Sequence, residues 1–268
     1  MDPISFSALC VLIGCIAGFL GGLLGIGGGI VIVPALIALL DGSLPGTQVT
    51  PVAVATSLAG IVFISLSAAL AQARSGQVDW LIARRWVLGL VVGGIAAGPI
   101  AVALPLPVFR SCIGAFLLFV SFVMMTQWRP APQRALPGVM ASLPLGACAG
   151  VISGIAGIGG GNVIVPTLIF FNTPVHRATA TASGLGLPVA LAGTLGFMLS
   201  PPAAPVGQGV WGHIHLHALV PIVLSAVVAA PLGVRCAARI RPLPLRRAFG
   251  VLLIVAAGRM LWTAFRHA

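Results

Sequence analysis

The chain has no lysine and no glutamate, and its only carboxylate side chains are Asp2, Asp41 and Asp79. None of the three falls inside an apolar stretch. Carboxylates buried in a bilayer are the usual proton and sodium relays of secondary carriers, so coupling through a buried acid is excluded. The apolar stretches also hold no His/Asp/Glu pair to activate a nucleophile or bind a metal, which argues against an enzyme and against a resident cofactor. The repeated GIGGG run lacks the Lys-Ser/Thr that would make it a phosphate-binding loop. Charge of either sign is scarce, at 6% of residues against roughly 25% in soluble domains. With 59% hydrophobic residues, too little polar surface is left for the chain to stay in water. The net charge of +11 is carried by arginines that fall mainly in the gaps between apolar segments and do not cluster on one basic stripe, which argues against a nucleic-acid partner. Cys10, Cys15, Cys112, Cys148 and Cys236 show no CxxC spacing and are read as packed thiols, neither a disulfide framework nor a zinc site.

What is present is apolar and duplicated. Gly25-Ile26-Gly27-Gly28-Gly29-Ile30-Val31-Ile32-Val33-Pro34 returns as Gly157-Ile158-Gly159-Gly160-Gly161-Asn162-Val163-Ile164-Val165-Pro166. At an offset of 132, residues 14–37 agree with 146–169 at 15 of 24 positions, which makes the chain a duplication. Ten apolar segments are legible: 4–24, 30–40, 52–73, 86–104 and 108–127, then 138–157, 162–172, 179–199, 216–234 and 247–265. This divides the chain into a first repeat (1–127), a proline-rich linker (128–137) and a second repeat (138–268). Met1-Asp2-Pro3 lacks the basic start of a cleaved signal, so the first segment is expected to remain as a span.

Alternating ten segments puts Arg74, Arg84, Arg85, Arg129, Arg134, Arg177, Arg235, Arg239, Arg241, Arg246 and Arg247 on one side. Only Arg110, Arg259 and Arg266 fall on the other. Counting each glycine-broken pair as one span divides the arginines evenly, so the positive-inside rule favours ten, with both termini outside. Charge does not distinguish crossing from re-entry for segments 30–40 and 162–172; at 1.5 Å per residue each covers about 16 Å, roughly half the hydrocarbon thickness, which favours half-helices. The expected fold is therefore an all-α integral membrane protein of about ten hydrophobic segments in two inverted five-segment repeats. Each repeat contains a Gly-broken short or re-entrant helix. Broken helices in corresponding positions of the two halves point to a carrier's substrate site.

Gly14, Gly18 and Gly22, with their copies Gly146, Gly150 and Gly154, lie four apart on one helix face and are read as packing residues. The triplets Gly27-Gly28-Gly29 and Gly159-Gly160-Gly161 differ, because they break a helix and release backbone N–H groups that must be paired or line a protected cavity. A helix starting at Ile30 or Asn162 would turn its positive end toward that cavity, which makes an anion site without a buried cation. Ala55-Thr56-Ser57 aligns with Thr181-Ala182-Ser183 at an offset of 126. These hydroxyls can donate to an oxyanion or bond back to their own helices. Asn162 replaces Ile30 directly after the break and is the strongest side-chain candidate for the ligand. The candidate substrate-binding set is thus Gly27, Gly28, Gly29, Thr56, Ser57, Gly159, Gly160, Gly161, Asn162, Thr181 and Ser183. His213, His215 and His217 alternate as residues on one face of a strand would, and are read as an interfacial loop, not a metal site. Arg177 and His176 are assigned to topology.

The doubled L/I-x-GIGGG-x-VIVP segment, the A-T-S-like stretch that follows each copy, and Gly98-Pro99 with Ala230-Pro231 later in each half resemble the TauE/SafE sulfite exporter family over nearly the whole chain. The resemblance implies transport of small sulfur-containing anions such as sulfite or organosulfonates across the bacterial inner (cytoplasmic) membrane. It places the motif on Gly25, Gly27 to Gly29 and Pro34, on Gly157, Gly159 to Gly161 and Pro166, and on Thr56, Ser57 and Ser183. Ala182 departs from the pattern where a second Thr would precede the Ser. A passive anion channel is the rival reading, an intramembrane enzyme the more distant one. The expected partners are the anion and the lipid bilayer, and a homo-oligomer is left open.

Overall fold

The computed structural model describes residues 2–24, 27–73, 78–126, 138–200, 202, 209–237 and 243–266. The expected linker, 128–137, lies outside the described residues, as do Gly25 and Ile26. The described residues form ten α-helices: α1 Pro3–Leu24, α2 Gly29–Leu40, α3 Gly46–Ala73, α4 Trp80–Ala103, α5 Leu106–Thr126, α6 Val139–Ile155, α7 Gly161–Phe170, α8 Val175–Met198, α9 Leu216–Ala237 and α10 Leu243–Arg266. A two-stranded hairpin, β1 Val210–Trp211 and β2 Ile214–His215, precedes α9. Six helices are long and apolar enough to cross a bilayer, and with the apolar shorter helices they make this an all-α membrane protein.

The exterior is apolar as well as the core. On α9, Ile222, Ala226 and Ala230 are buried, while Val220, Leu224 and Val228 on another face are more than half exposed. A soluble helix would be polar there.

Packing follows the small residues. Gly14, Gly18 and Gly22 of α1 lie directly against Ile222, Ala226 and Ala230 of α9. Both numbers rise together, so the two helices run parallel. Gly89 and Gly93 of α4 meet Gly146 and Ala147 of α6, and Gly150 meets Leu90, again in parallel. A β-carbon on Gly18 would stand 2.6 Å from Ala226 Cα, and one on Gly93 2.9 Å from Ala147 Cα. The six glycines spaced by four are packing residues. α3 and α8 cross antiparallel at the centre, with Gly193 against Leu58 and Gly186 against Ser65. α5 and α10 are also antiparallel, with Gly114 against Leu261 and Gly250 against Met125.

Several helices begin before the apolar segments read from the sequence. α4 starts at Trp80, not 86, because the Asp79 carboxylate accepts from the N–H groups of Leu81 and Ile82 at 3.1 and 3.2 Å. Capping starts this helix and carries Arg84 and Arg85 within it. Helix interiors also tolerate proline here. Pro231 removes the N–H that would bond Val227, and the orphaned carbonyl accepts instead from Ser67 Oγ of α3 at 3.1 Å. The three histidines do not share a strand face. His213 stands at the hairpin turn, His215 in β2 and His217 in α9. The cause is Gly212 at φ 59, which turns the chain inside the alternating run.

Candidate functional site

Each glycine triplet ends one helix and starts another. Gly28 (φ 75, ψ −14) and Gly160 (φ 76, ψ −25) are the N-caps of α2 and α7, in the left-handed region that glycine enters without a Cβ penalty. The helices that follow have 12 and 10 residues, short of a full span. Neither has a side-chain cap or an acidic residue in its first turn. The third and fourth N–H groups bond to the cap carbonyl, Val31 and Ile32 to Gly28 and Val163 and Ile164 to Gly160. Among the described residues, this leaves the first two N–H groups of each helix without an intrahelical or side-chain partner.

The two breaks touch. A β-carbon on Gly27 would lie 3.4 Å from Gly159 Cα, and one on Gly29 would lie 3.1 Å from Ile158 Cα and overlap the Gly157 carbonyl. Between them is a small cavity of about 10 Å³ lined by Gly21, Gly27, Ser65, Gly159, Ser183 and Gly186, among others. It is thus bounded by both glycine breaks and by α3 and α8.

The hydroxyls divide by role. Ser57 Oγ donates to the Gly157 carbonyl at 2.9 Å, tying α3 to the break of the other repeat. Ser183 Oγ bonds back to the Thr179 carbonyl at 3.0 Å and lines the cavity. Thr56 Oγ1 accepts from the His215 N–H at 2.9 Å, and Thr181 Oγ1 accepts from the Asp79 N–H at 3.0 Å. These last two bonds play matching parts from adjacent positions of the alignment: each repeat's third helix holds the chain just before the fourth helix of the other. Thr56 and Thr181 are therefore fastened to elements other than the cavity wall. Asn162 is buried, and its Nδ2 has no hydrogen-bond partner among the described residues. The Ser153 hydroxyl, at the position equivalent to Gly21, is in the same condition. Such groups cost free energy unless something pairs with them.

Gly21, Ser65 and Gly186 stand outside the set of candidates that the sequence pattern marks. Gly186 was within reach, because it aligns with Gly60 at the offset that pairs Ser57 with Ser183. Ser65 has no counterpart and reaches the cavity only through the α3/α8 crossing.

Beyond the seam, His213 is buried with Nδ1 3.3 Å from the Phe197 carbonyl, and burial lowers its pKa below the usual 6.5 more than that bond raises it. His215 is lowered too, first by burial and then by the charge of His217. Among the described residues, no group of three His, Cys, Asp or Glu side chains is placed to hold a metal ion.

A pair of touching helix breaks in a duplicated apolar bundle is a pattern that can be compared with known proteins, and the profile described as sulfite exporter TauE/SafE matches residues 10–260. The chain belongs to the TauE/SafE sulfite exporter family. A probable membrane transporter protein of Haemophilus influenzae is 29% identical over 262 residues, 96% of this chain and 98% of that one. Probable membrane transporter proteins of Bacillus subtilis and Methanocaldococcus jannaschii are 29% and 26% identical over 72% and 89% of this chain, and over 78% and 89% of their own lengths. No solved structure matches the chain. With its family and its apolar helices, the protein is a multi-pass membrane transporter.

Proposed function

We propose that this TauE/SafE member exports a small sulfur oxyanion, sulfite or an organosulfonate, from the cytoplasm across the bacterial inner membrane by alternating access. The observation that carries the reading is the seam, where Gly27 and Gly159, each directly before the N-cap of a short helix and at equivalent positions of the two repeats, line one cavity. Each end contributes roughly half a positive charge, which favours an anion without the penalty of a buried arginine. Asn162 Nδ2 supplies a side-chain donor beside one of these ends.

The helix directions support ten segments in two inverted repeats. α1 with α9 and α4 with α6 are parallel, while α3 with α8 and α5 with α10 are antiparallel, as strict alternation through ten segments requires. Exchanging the repeats carries α1/α9 onto α6/α4, and the Thr56–His215 bond is matched, one residue out of register on the third helix, by Thr181–Asp79. Such exchange symmetry gives a carrier two equivalent half-states, each bond holding one side of the bundle.

A cavity of about 10 Å³ admits at most about one water molecule, so a sulfur oxyanion requires the glycine loops to part. That coupling between binding and loop separation favours a carrier over an open channel. Flux of labelled sulfite into liposomes, measured against concentration, tests it: a carrier saturates, and Asn162→Leu weakens apparent affinity by about 1–3 kcal/mol, the cost of an unmade hydrogen bond to a charge. Arg177→Gln leaves it nearly unchanged. Non-saturating flux, or a dominant effect of Arg177, refutes the reading.

A further inference from the structure

A second cavity, of about 550 Å³, opens between α1, α2, α5 and α10, away from the glycine seam. Its walls are apolar, and Leu12, Ile16 and Val255 on them are also exposed on the outside of the bundle. A spanning bundle turns that surface toward lipid. Among the described residues its polar lining is confined to Asp41, Arg110, Arg259 and Thr263.

Arg110 is only 7% exposed, yet it has no carboxylate partner among the described residues. Its Nε donates to Thr50 Oγ1 at 3.1 Å and one terminal nitrogen donates to the Gly46 carbonyl at 3.4 Å. A guanidinium has five N–H donors, so these two bonds leave most of its capacity and all of its charge uncompensated. A nearly buried cation is costly unless an anion joins it. Arg259 reaches Asp41 at 3.7 Å, and both side chains are more than half exposed, a pair of the weak, displaceable kind. Because α5 and α10 are antiparallel, the two arginines lie at the same end of the bundle. Arg110 stands four residues into α5, about 6 Å along its axis, a depth suited to a headgroup phosphate.

We propose that this cavity binds one anionic phospholipid of the surrounding bilayer, with its phosphate on Arg110 and Arg259 and an acyl chain along the wall. The charges choose the headgroup: two arginines against one aspartate leave one positive charge, which a singly anionic lipid neutralises and a zwitterion does not. A small soluble anion would leave the apolar wall without a function. The second repeat supplies an internal comparison. Val163, Pro166, Thr167 and Phe170, each 132 positions after Val31, Pro34, Ala35 and Ala38, line a related cavity of about 430 Å³ with Phe116 and Phe119. Among the described residues that cavity has no charged lining residue, and Phe170 stands where Ala38 does. Among the described residues, the charges that select a headgroup thus line the first-repeat cavity.

The test uses purified full-length protein in detergent, with lipid retention read by native mass spectrometry after exposure to dioleoylphosphatidylglycerol or dioleoylphosphatidylethanolamine. Wild type should retain the anionic lipid in preference, and Arg110→Gln and Arg259→Gln should each lower that retention by about fivefold, the worth of one arginine at a charged membrane surface. Ala38→Phe, which copies the second repeat at an exposed position, should reduce retention of both lipids. If Arg110→Gln fails to fold, Arg259→Gln and Ala38→Phe, at exposed positions, carry the result. Equal retention of the two lipids by wild type, or anionic-lipid retention unaffected by Ala38→Phe, overturns the proposal.

Discussion

Gly28→Ala and Gly160→Ala are the same substitution at the same position of the two repeats, and the structure predicts unequal costs. Both glycines are N-caps in the left-handed region, at φ 75 and φ 76, where a Cβ costs about 1–2 kcal/mol. What the added methyl meets differs. At Gly28 it would lie 2.6 Å from the Ala17 carbonyl oxygen and 3.1 Å from its carbon. That backbone belongs to α1, held against α9 by the glycine face on either side of Ala17. At Gly160 the closest atom is Ile164 Cδ1 at 2.9 Å, followed by Val189 Cγ2 at 3.5 Å. A side-chain tip can rotate away, whereas a packed helix backbone cannot. Gly160→Ala should thus cost about 1–2 kcal/mol, the backbone conformation alone, whereas Gly28→Ala adds an overpacking term of about 1–3 kcal/mol. Membrane proteins commonly unfold irreversibly in detergent, so the readout is the inactivation half-life at a fixed temperature, with sulfite flux in liposomes measured on the surviving protein. Gly28→Ala should show the clearly shorter half-life. Equal half-lives, or a worse Gly160→Ala, would show that the asymmetry of the walls is not what limits these positions.

Ser57→Ala should destabilise by about 1–3 kcal/mol by leaving the buried Gly157 carbonyl unpaired; thermal inactivation beside the wild type checks it, and equal half-lives would refute it. In a cysteine-free background, Ser43→Cys should react with an impermeant thiol reagent added outside sealed cells and Gly138→Cys should not, with the opposite pattern inverting the topology. The lowered pKa values of His213 and His215 mean that, as pH falls below about 6.5, the unfolded chain binds protons that the folded chain does not. Their contribution to stability is therefore constant above that value and lost below it. Half-lives should shorten between pH 7.5 and 5.5, and a His213→Gln, His215→Gln double variant should flatten that dependence.

Much of this architecture was legible because local chemistry fixes it. Three consecutive glycines break a helix wherever they occur, and the short helices begin at Gly29 and Gly161, one residue from where the sequence placed them. The glycines spaced by four marked the α1/α9 and α4/α6 contacts, because only a ridge-free face lets backbones come so close. Helix starts were less legible. Hydropathy alone starts α4 after its arginines, but Asp79 caps it six residues earlier, since a capped helix does not end where hydropathy does.

The sequence by itself determined that this is a duplicated, apolar, arginine-bounded helical chain with a break in each half, because each of those features follows from composition and short-range backbone preference. Only the tertiary structure decided what the equivalent residues do. Ser57 and Ser183 are the same letter in the same repeat position, yet one bonds across to Gly157 and the other back to Thr179. Thr56 and Thr181 turn from the seam to hold His215 and Asp79, while Ser65, with no repeat partner, reaches the cavity. In a helix apolar on every face, periodicity does not say which side meets a neighbour. That choice is made by the crossing of α3 with α8, a relation between residues more than a hundred positions apart.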